Sequence, residues 1–177
     1  MTRDQRAMMI VLIEYYCYCK HYRWETLFLA INLADRYIIE LAKIDSKLPK
    51  LAALACACIF IAAKAEEHKI PNLHILVDIF KFRIGVTLQA KSILNLEERI
   101  LNVLEFSVYC ITQLNFLGRF SRIFDTNKNN NLKCSSEKIN EEAIFHCLQM
   151  AKNTAFIECK PSRIAAISLI YALNLQN

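Results

Sequence analysis

The feature that most constrains this chain is an unbroken apolar run. In Pro49-Lys50-Leu51-Ala52-Ala53-Leu54-Ala55-Cys56-Ala57-Cys58-Ile59-Phe60-Ile61-Ala62-Ala63-Lys64-Ala65-Glu66-Glu67, every residue from Leu51 to Ala63 is apolar. A helix that is hydrophobic on all sides has no face to give to water, so other elements must enclose it. Pro49 suits a first helical turn, where the N–H it lacks would have had no partner. The thirteen residues, at ~1.5 Å each, reach about 20 Å, short of the roughly 20 residues that a bilayer span needs. The expectation is the central helix of a soluble all-helical bundle, with no membrane partner. Its small Ala and Cys side chains let neighbours approach closely on several sides.

Two Gly and three Pro in 177 residues reinforce that reading. Antiparallel sheets need many tight turns and the residues that make them, so this scarcity predicts long helices joined by few loops. A composition 55% hydrophobic and 22% charged belongs to a chain that builds a core. The length fits one ordinary domain or two small lobes. The net charge of +5 is mild, and no dense run of Lys and Arg marks a surface that tracks phosphates, so no nucleic-acid partner is expected. Eight Cys without a signal peptide (the chain opens Thr2-Arg3-Asp4-Gln5-Arg6) predict reduced thiols in the nucleus and/or cytoplasm. Cys56 and Cys58 sit in the apolar run as small hydrophobes. Cys17, Cys19 and His21 stand at i, i+2 and i+4, but helical geometry turns Cys19 away from the other two, so no metal site is expected.

Taken in order, residues 4–21 read as a helix with Asp4 as its candidate cap and Met8, Met9, Leu12, Ile13 and Tyr16 at helical spacing. Trp24 to Lys43 comes next, then the central helix, a short helix from Asn72 to Lys81, a loop from Lys81 to Val86 containing Gly85, and a helix from Thr87 to Glu105. Beyond these, Thr112 to Phe124 reads as helix, Asp125 to Ser136 as an exposed polar loop, and Ser136 to Ile157 as a long helix capped by Ser136. Pro161 to Ala172 then resembles Pro49 to Ala57: a Pro, then an Ala-rich helix apolar nearly all round. A repeat of about 112 residues fits two similar helical lobes, 1–109 and 110–177, each wrapped on its own third helix. The second lobe lacks counterparts of the first lobe's fourth and fifth helices, so a chain truncated relative to a symmetric pair is the expectation.

Several segments, in order, resemble a cyclin. Gln5-Arg6-Ala7-Met8-Met9 is similar to the family's Met-Arg-Ala-Ile-Leu opening, and Glu25 to Tyr37 matches its second helix almost residue for residue. Leu48-Pro49-Lys50-Leu51 and Ile61-Ala62-Ala63-Lys64-Ala65-Glu66-Glu67 resemble its third helix. Ile93-Leu94-Asn95-Leu96-Glu97 and Ile100 to Phe106 resemble its fifth. The resemblance covers the first lobe and, more loosely, the second. It implies an all-α cyclin fold: a five-helix cyclin box followed by a partial second cyclin-like lobe. It also implies a regulatory subunit that binds and activates a cyclin-dependent serine/threonine protein kinase as a heterodimer, in cell-cycle or transcription control.

On general grounds Lys64 is a cation suited to a helix C-terminus. The resemblance implies more: Lys64 and Glu97 together hydrogen-bond backbone groups beside the kinase's regulatory helix, both from the solvent edges of their helices. Ile61, Ala65, Glu67, Leu101, Phe106 and Val108 then complete the kinase-binding set, with Ala65 smaller than the aromatic common in the family. Arg6 and Asp35 match an internal bridge between the first two helices. Met8, Met9, Leu12 and Leu51 match a patch that docks kinase substrates or inhibitors, but Leu12 replaces a Trp and Ala52 a Gln; simple core residues are the other reading of these four. No Gly-rich phosphate loop and no nucleophile with a suitably spaced His appears, so no catalytic residue, no cofactor and no enzyme activity are expected. The rival reading from another class is a DNA-binding general transcription factor with a cyclin-like fold, which would need a basic face.

Overall fold

The computed structural model describes residues 2–69, 71–126 and 136–175. Among them the chain is helical, without a strand, and divides into two compact units, Met1–Cys110 and Ile111–Asn177. No helix among the described residues is long and apolar enough to cross a membrane.

The first unit contains α1 (Arg3–Lys20), α2 (Trp24–Lys43), α3 (Leu51–Glu66), α4 (Leu73–Ile84) and α5 (Ala90–Val103). The apolar run is α3, and it packs against each of the other four. Ten consecutive residues, Leu54 to Ala63, are buried, so the demand of a helix without a polar face is met by full enclosure. Pro49 lies one residue before the N-cap, Lys50, rather than in the first turn. Burial of Cys17, Cys56 and Cys58 pushes all three thiols well above their ordinary pKa, which keeps them neutral and poorly nucleophilic. Cys19, by contrast, is exposed, so it and Cys17 face different surroundings.

Local chemistry moved several boundaries. Thr2, not Asp4, caps α1: its hydroxyl accepts from the Gln5 N–H at 3.3 Å while the Gln5 side chain accepts from the Thr2 N–H at 2.9 Å, a reciprocal capping box. The helix from Asn72 does not stop at Lys81. It runs to Ile84 and ends on Gly85, whose φ of +75° supplies a left-handed C-cap without a Cβ penalty. The fifth helix is shorter than its apolar pattern at both ends, starting after Gln89 and closing at Leu104.

The second unit contains α6 (Gln113–Thr126), α7 (Ser136–Lys152), a 3-10 turn (Thr154–Phe156) and α8 (Pro161–Leu175). Helix α6 continues through Asp125 to Thr126; the remainder of the expected polar loop, 127–135, and the side chain of Ser136 lie outside the described residues. The long helix expected to reach Ile157 breaks at Asn153, whose side chain accepts from the Ala155 N–H at 2.9 Å and starts the 3-10 turn instead. Helix α8 repeats the sequence character of α3 but not its burial. Ala55, Cys58 and Ile59 are fully buried, whereas Ile167, Ile170 and Tyr171, at equivalent positions, are 44%, 58% and 51% exposed. The reason is the number of neighbours: four helices enclose α3, while α8 packs against α6 and α7.

Candidate functional site

The end of the apolar run is where α3 first offers a charge. Lys64 stands at the C-terminal turn, where a cation complements the unpaired carbonyls, and its ammonium lies over the Phe60 ring, 4.3 Å from the centroid. It forms an ion pair with Glu97 of α5. The pair is asymmetric: the Lys64 side chain is 37% exposed and that of Glu97 10%. The expectation of two groups at the solvent edges of their helices is therefore corrected for Glu97. Helix α5 lays Ile93, Leu96 and Ile100 onto the core, and Glu97, one residue past Leu96, is drawn into the same buried stripe. A buried carboxylate needs a partner, and Lys64 is in position to be one.

The other expected contact residues fall into groups. Ala65, Leu101 and Val108 are half-buried, and Phe106 is exposed. Ile61 is only 3% exposed and belongs to the core, because α3 is still enclosed one turn before Lys64. Glu67 acts within the fold: its carboxylate accepts the Arg23 backbone N–H at 2.9 Å and the Thr26 hydroxyl. Arg23 is the N-cap of α2 and supplies no side-chain cap of its own, so Glu67 satisfies that helix end from across the unit.

The chain's exit from α5 was not legible in the sequence. The Phe106 N–H donates to the Leu101 carbonyl at 2.8 Å and the Glu105 N–H to the Asn102 carbonyl at 3.1 Å, the two bonds of a Schellman closure. Such a closure usually takes Gly, but here Glu105 and Phe106 occupy the left-handed region, with φ of +51° and +56°. Each such residue costs roughly 1–2 kcal/mol, and strain of this kind gathers where the backbone must aim a functional side chain. The turn projects Phe106, 66% exposed. Three residues on, Tyr109 is equally exposed at 66%, and its hydroxyl donates to the Ala65 carbonyl at 2.8 Å. No spacing rule pointed to Tyr109.

The four docking-patch residues do not form one surface. Met9 is fully buried and is core; Met8 is 57% exposed; Leu12 and Leu51 are half-buried. Helix periodicity explains the split, since Met8 and Met9 point about 100° apart. An apolar concavity of about 600 Å³ on this unit lies instead between α1 and the start of α2, with Val11, Tyr15, Tyr18, Trp24 and Leu27 in its wall. The bridge between the first two helices forms as the resemblance implies: Arg6 donates to both carboxylate oxygens of Asp35 at 2.8 and 2.7 Å.

The family model for the cyclin N-terminal domain matches residues 1–109. Human G2/mitotic-specific cyclin-B3 is 30% identical over 175 residues, an alignment that takes in 99% of this chain and 11% of that protein. S-phase entry cyclin-5 of Saccharomyces cerevisiae is 34% identical over 153 residues, 86% of this chain and 32% of the yeast protein. The chain therefore spans well under half the length of these relatives. Among solved structures, a viral cyclin from herpesvirus saimiri superimposes with a TM-score of 0.79 at 17% identity, covering 100% of this chain and 72% of that one. Apolar central helix, enclosing bundle, paired Lys64 and Glu97, and matched family domain agree: this chain belongs to the cyclin family.

Proposed function

We propose that the chain is a non-enzymatic regulatory subunit that binds a cyclin-dependent serine/threonine kinase as a heterodimer and activates it in cell-cycle control. The lobe that does so is 1–109, with 110–177 as a partial second lobe, acting in the nucleus and/or cytoplasm. The observation that carries this reading is the Lys64–Glu97 pair, held where the end of α3 meets α5, with Phe106 exposed on the closure that follows α5. An ammonium has three donors, so pairing with Glu97 leaves Lys64 able to donate to backbone carbonyls of a partner. Glu97 fixes the ammonium beforehand, which lowers the ordering cost of binding. Leu101, Ala65 and Val108 supply the apolar surround that excludes water from those bonds.

Activation is then a shift of population. The surface selects the kinase conformation whose regulatory helix is turned in, so that its Glu pairs with the ATP-binding Lys. The relatives named as G2/mitotic-specific and S-phase entry cyclins favour the cell-cycle role. The test is titration of the protein, and of a Lys64→Ala/Glu97→Ala double variant, against a purified cyclin-dependent kinase catalytic subunit, with phosphotransfer read in parallel. The double variant is expected to bind more weakly by about 2–4 kcal/mol, as for loss of a central polar cluster. A folded double variant that binds and activates normally sinks this assignment, and phosphotransfer by the partner-free protein sinks the non-enzymatic role.

A further inference from the structure

We infer that Tyr109 is a specificity-determining residue of the partner-binding surface, supplying from the segment after α5 the aromatic anchor that Ala65 cannot supply from α3. The inference rests on the reading above and deepens it. Three observations carry it. First, Tyr109 is 66% exposed, a large aromatic left in water at the α3 end that carries Lys64. Second, it is not free to swing: its hydroxyl donates to the Ala65 carbonyl at 2.8 Å, one residue beyond Lys64. That carbonyl belongs to the last turn of α3, where carbonyl groups lack helical partners, so the phenol both caps the helix end and is fixed by it. Third, the segment that delivers Tyr109 leaves α5 through the strained pair Glu105 and Phe106, which sets both aromatic side chains out from the bundle.

An exposed, tethered Tyr costs little conformational entropy on binding, and Tyr is among the residues that most often dominate interface energetics. Ala65 is half-buried and presents only a methyl, so the residue whose carbonyl holds the phenol adds no ring of its own. The kinase that fits would accept two aromatic rings, Phe106 and Tyr109, from the segment after α5. A ring projecting from α3 would not be required.

The test compares wild type, Tyr109→Ala, Tyr109→Phe and Tyr109→Ala/Ala65→Phe. Each is titrated against a cyclin-dependent kinase catalytic subunit purified free of its own cyclin, and thermal melts confirm folding. Tyr109→Ala should weaken binding at least about tenfold, mainly through faster dissociation. Tyr109→Phe keeps the ring but loses the tether, and should weaken binding about three- to fivefold. Placing a ring at position 65 should recover part of the loss, a coupling that a merely structural role would not produce. Hydrogen exchange at 105–109 should slow in the wild-type complex. Unchanged affinity in a folded Tyr109→Ala variant overturns the inference while leaving the kinase-binding reading intact. Failure of wild type itself to bind overturns that reading and the inference with it.

Discussion

At the scale of single residues, the energetics concentrate in a few polar and strained positions. The Arg6–Asp35 pair joins α1 to α2 with two parallel bonds, with Arg6 buried at 6% exposure and Asp35 partly buried at 20%. Arg6→Met should therefore cost about 2–3 kcal/mol, most of it from leaving the Asp35 carboxylate without its guanidinium, and urea denaturation would measure it. Strain at the end of α5 predicts the opposite sign. Glu105 holds a φ of +51° that glycine adopts freely, so Glu105→Gly should raise stability by about 1 kcal/mol. If the strain helps aim Phe106 and Tyr109, the same change should loosen partner binding, so a stabilised variant with weaker binding is the expected pairing of results. Sequence reasoning identified the Arg6–Asp35 bridge and grouped Lys64 with Glu97 as partner contacts, but not their bond to each other. It did not see the strained closure, because neither Glu105 nor Phe106 is a residue type that signals a left-handed cap.

At the scale of elements, α3 organises the first unit and also limits what can change in it. Ala57 and Ala62 are fully buried among helices that approach closely on several sides. Ala62→Leu should destabilise by about 1–3 kcal/mol through overpacking, seen as a lower thermal midpoint. The junction of α3 and α5 gives a less obvious expectation. Lys64→Ala alone strands the 10%-exposed Glu97 carboxylate, whereas Lys64→Ala/Glu97→Ala removes both charges. The double variant should thus be no less stable than the Lys64 single variant, a non-additivity that a double-mutant cycle would report. Helix α8 shows why similar sequence does not ensure similar burial. Its run from Ile164 to Ala172 has the apolar character of α3, yet only Ile164, Ala165, Ser168, Leu169 and Ala172 are buried in the face turned to α6 and α7.

At the scale of the molecule, the buried thiols tie stability to pH. Cys17, Cys56 and Cys58 all have thiols raised above the ordinary value of 9.0 by burial, so the folded state resists ionisation that the unfolded state accepts. Their contribution is intact below that value and is lost as pH rises above it, by up to ~1.4 kcal/mol per pH unit for each thiol. Urea midpoints should accordingly fall between about pH 7.5 and about pH 10, and Cys58→Ala should flatten the fall. The sequence by itself determined the all-helical class and the central position of α3, and the family resemblance singled out Lys64 and Glu97 as residues that act together; their bond to each other is the structure's finding. Those come from patterns that any packing must respect: an apolar run that cannot face water, a 3.6-residue period, and spacings that carry a family resemblance. Only the tertiary structure decided that Glu97 is buried while Lys64 is not, that Met9 and Ile61 belong to the core, and that Glu67 caps a distant helix. It alone brought Tyr109 to the carbonyl of Ala65. Burial depends on which neighbours arrive and at what angle, and a hydrogen bond between residues 44 positions apart depends on the whole path between them. Neither is written in local sequence; both are set when the other helices of the unit close around α3.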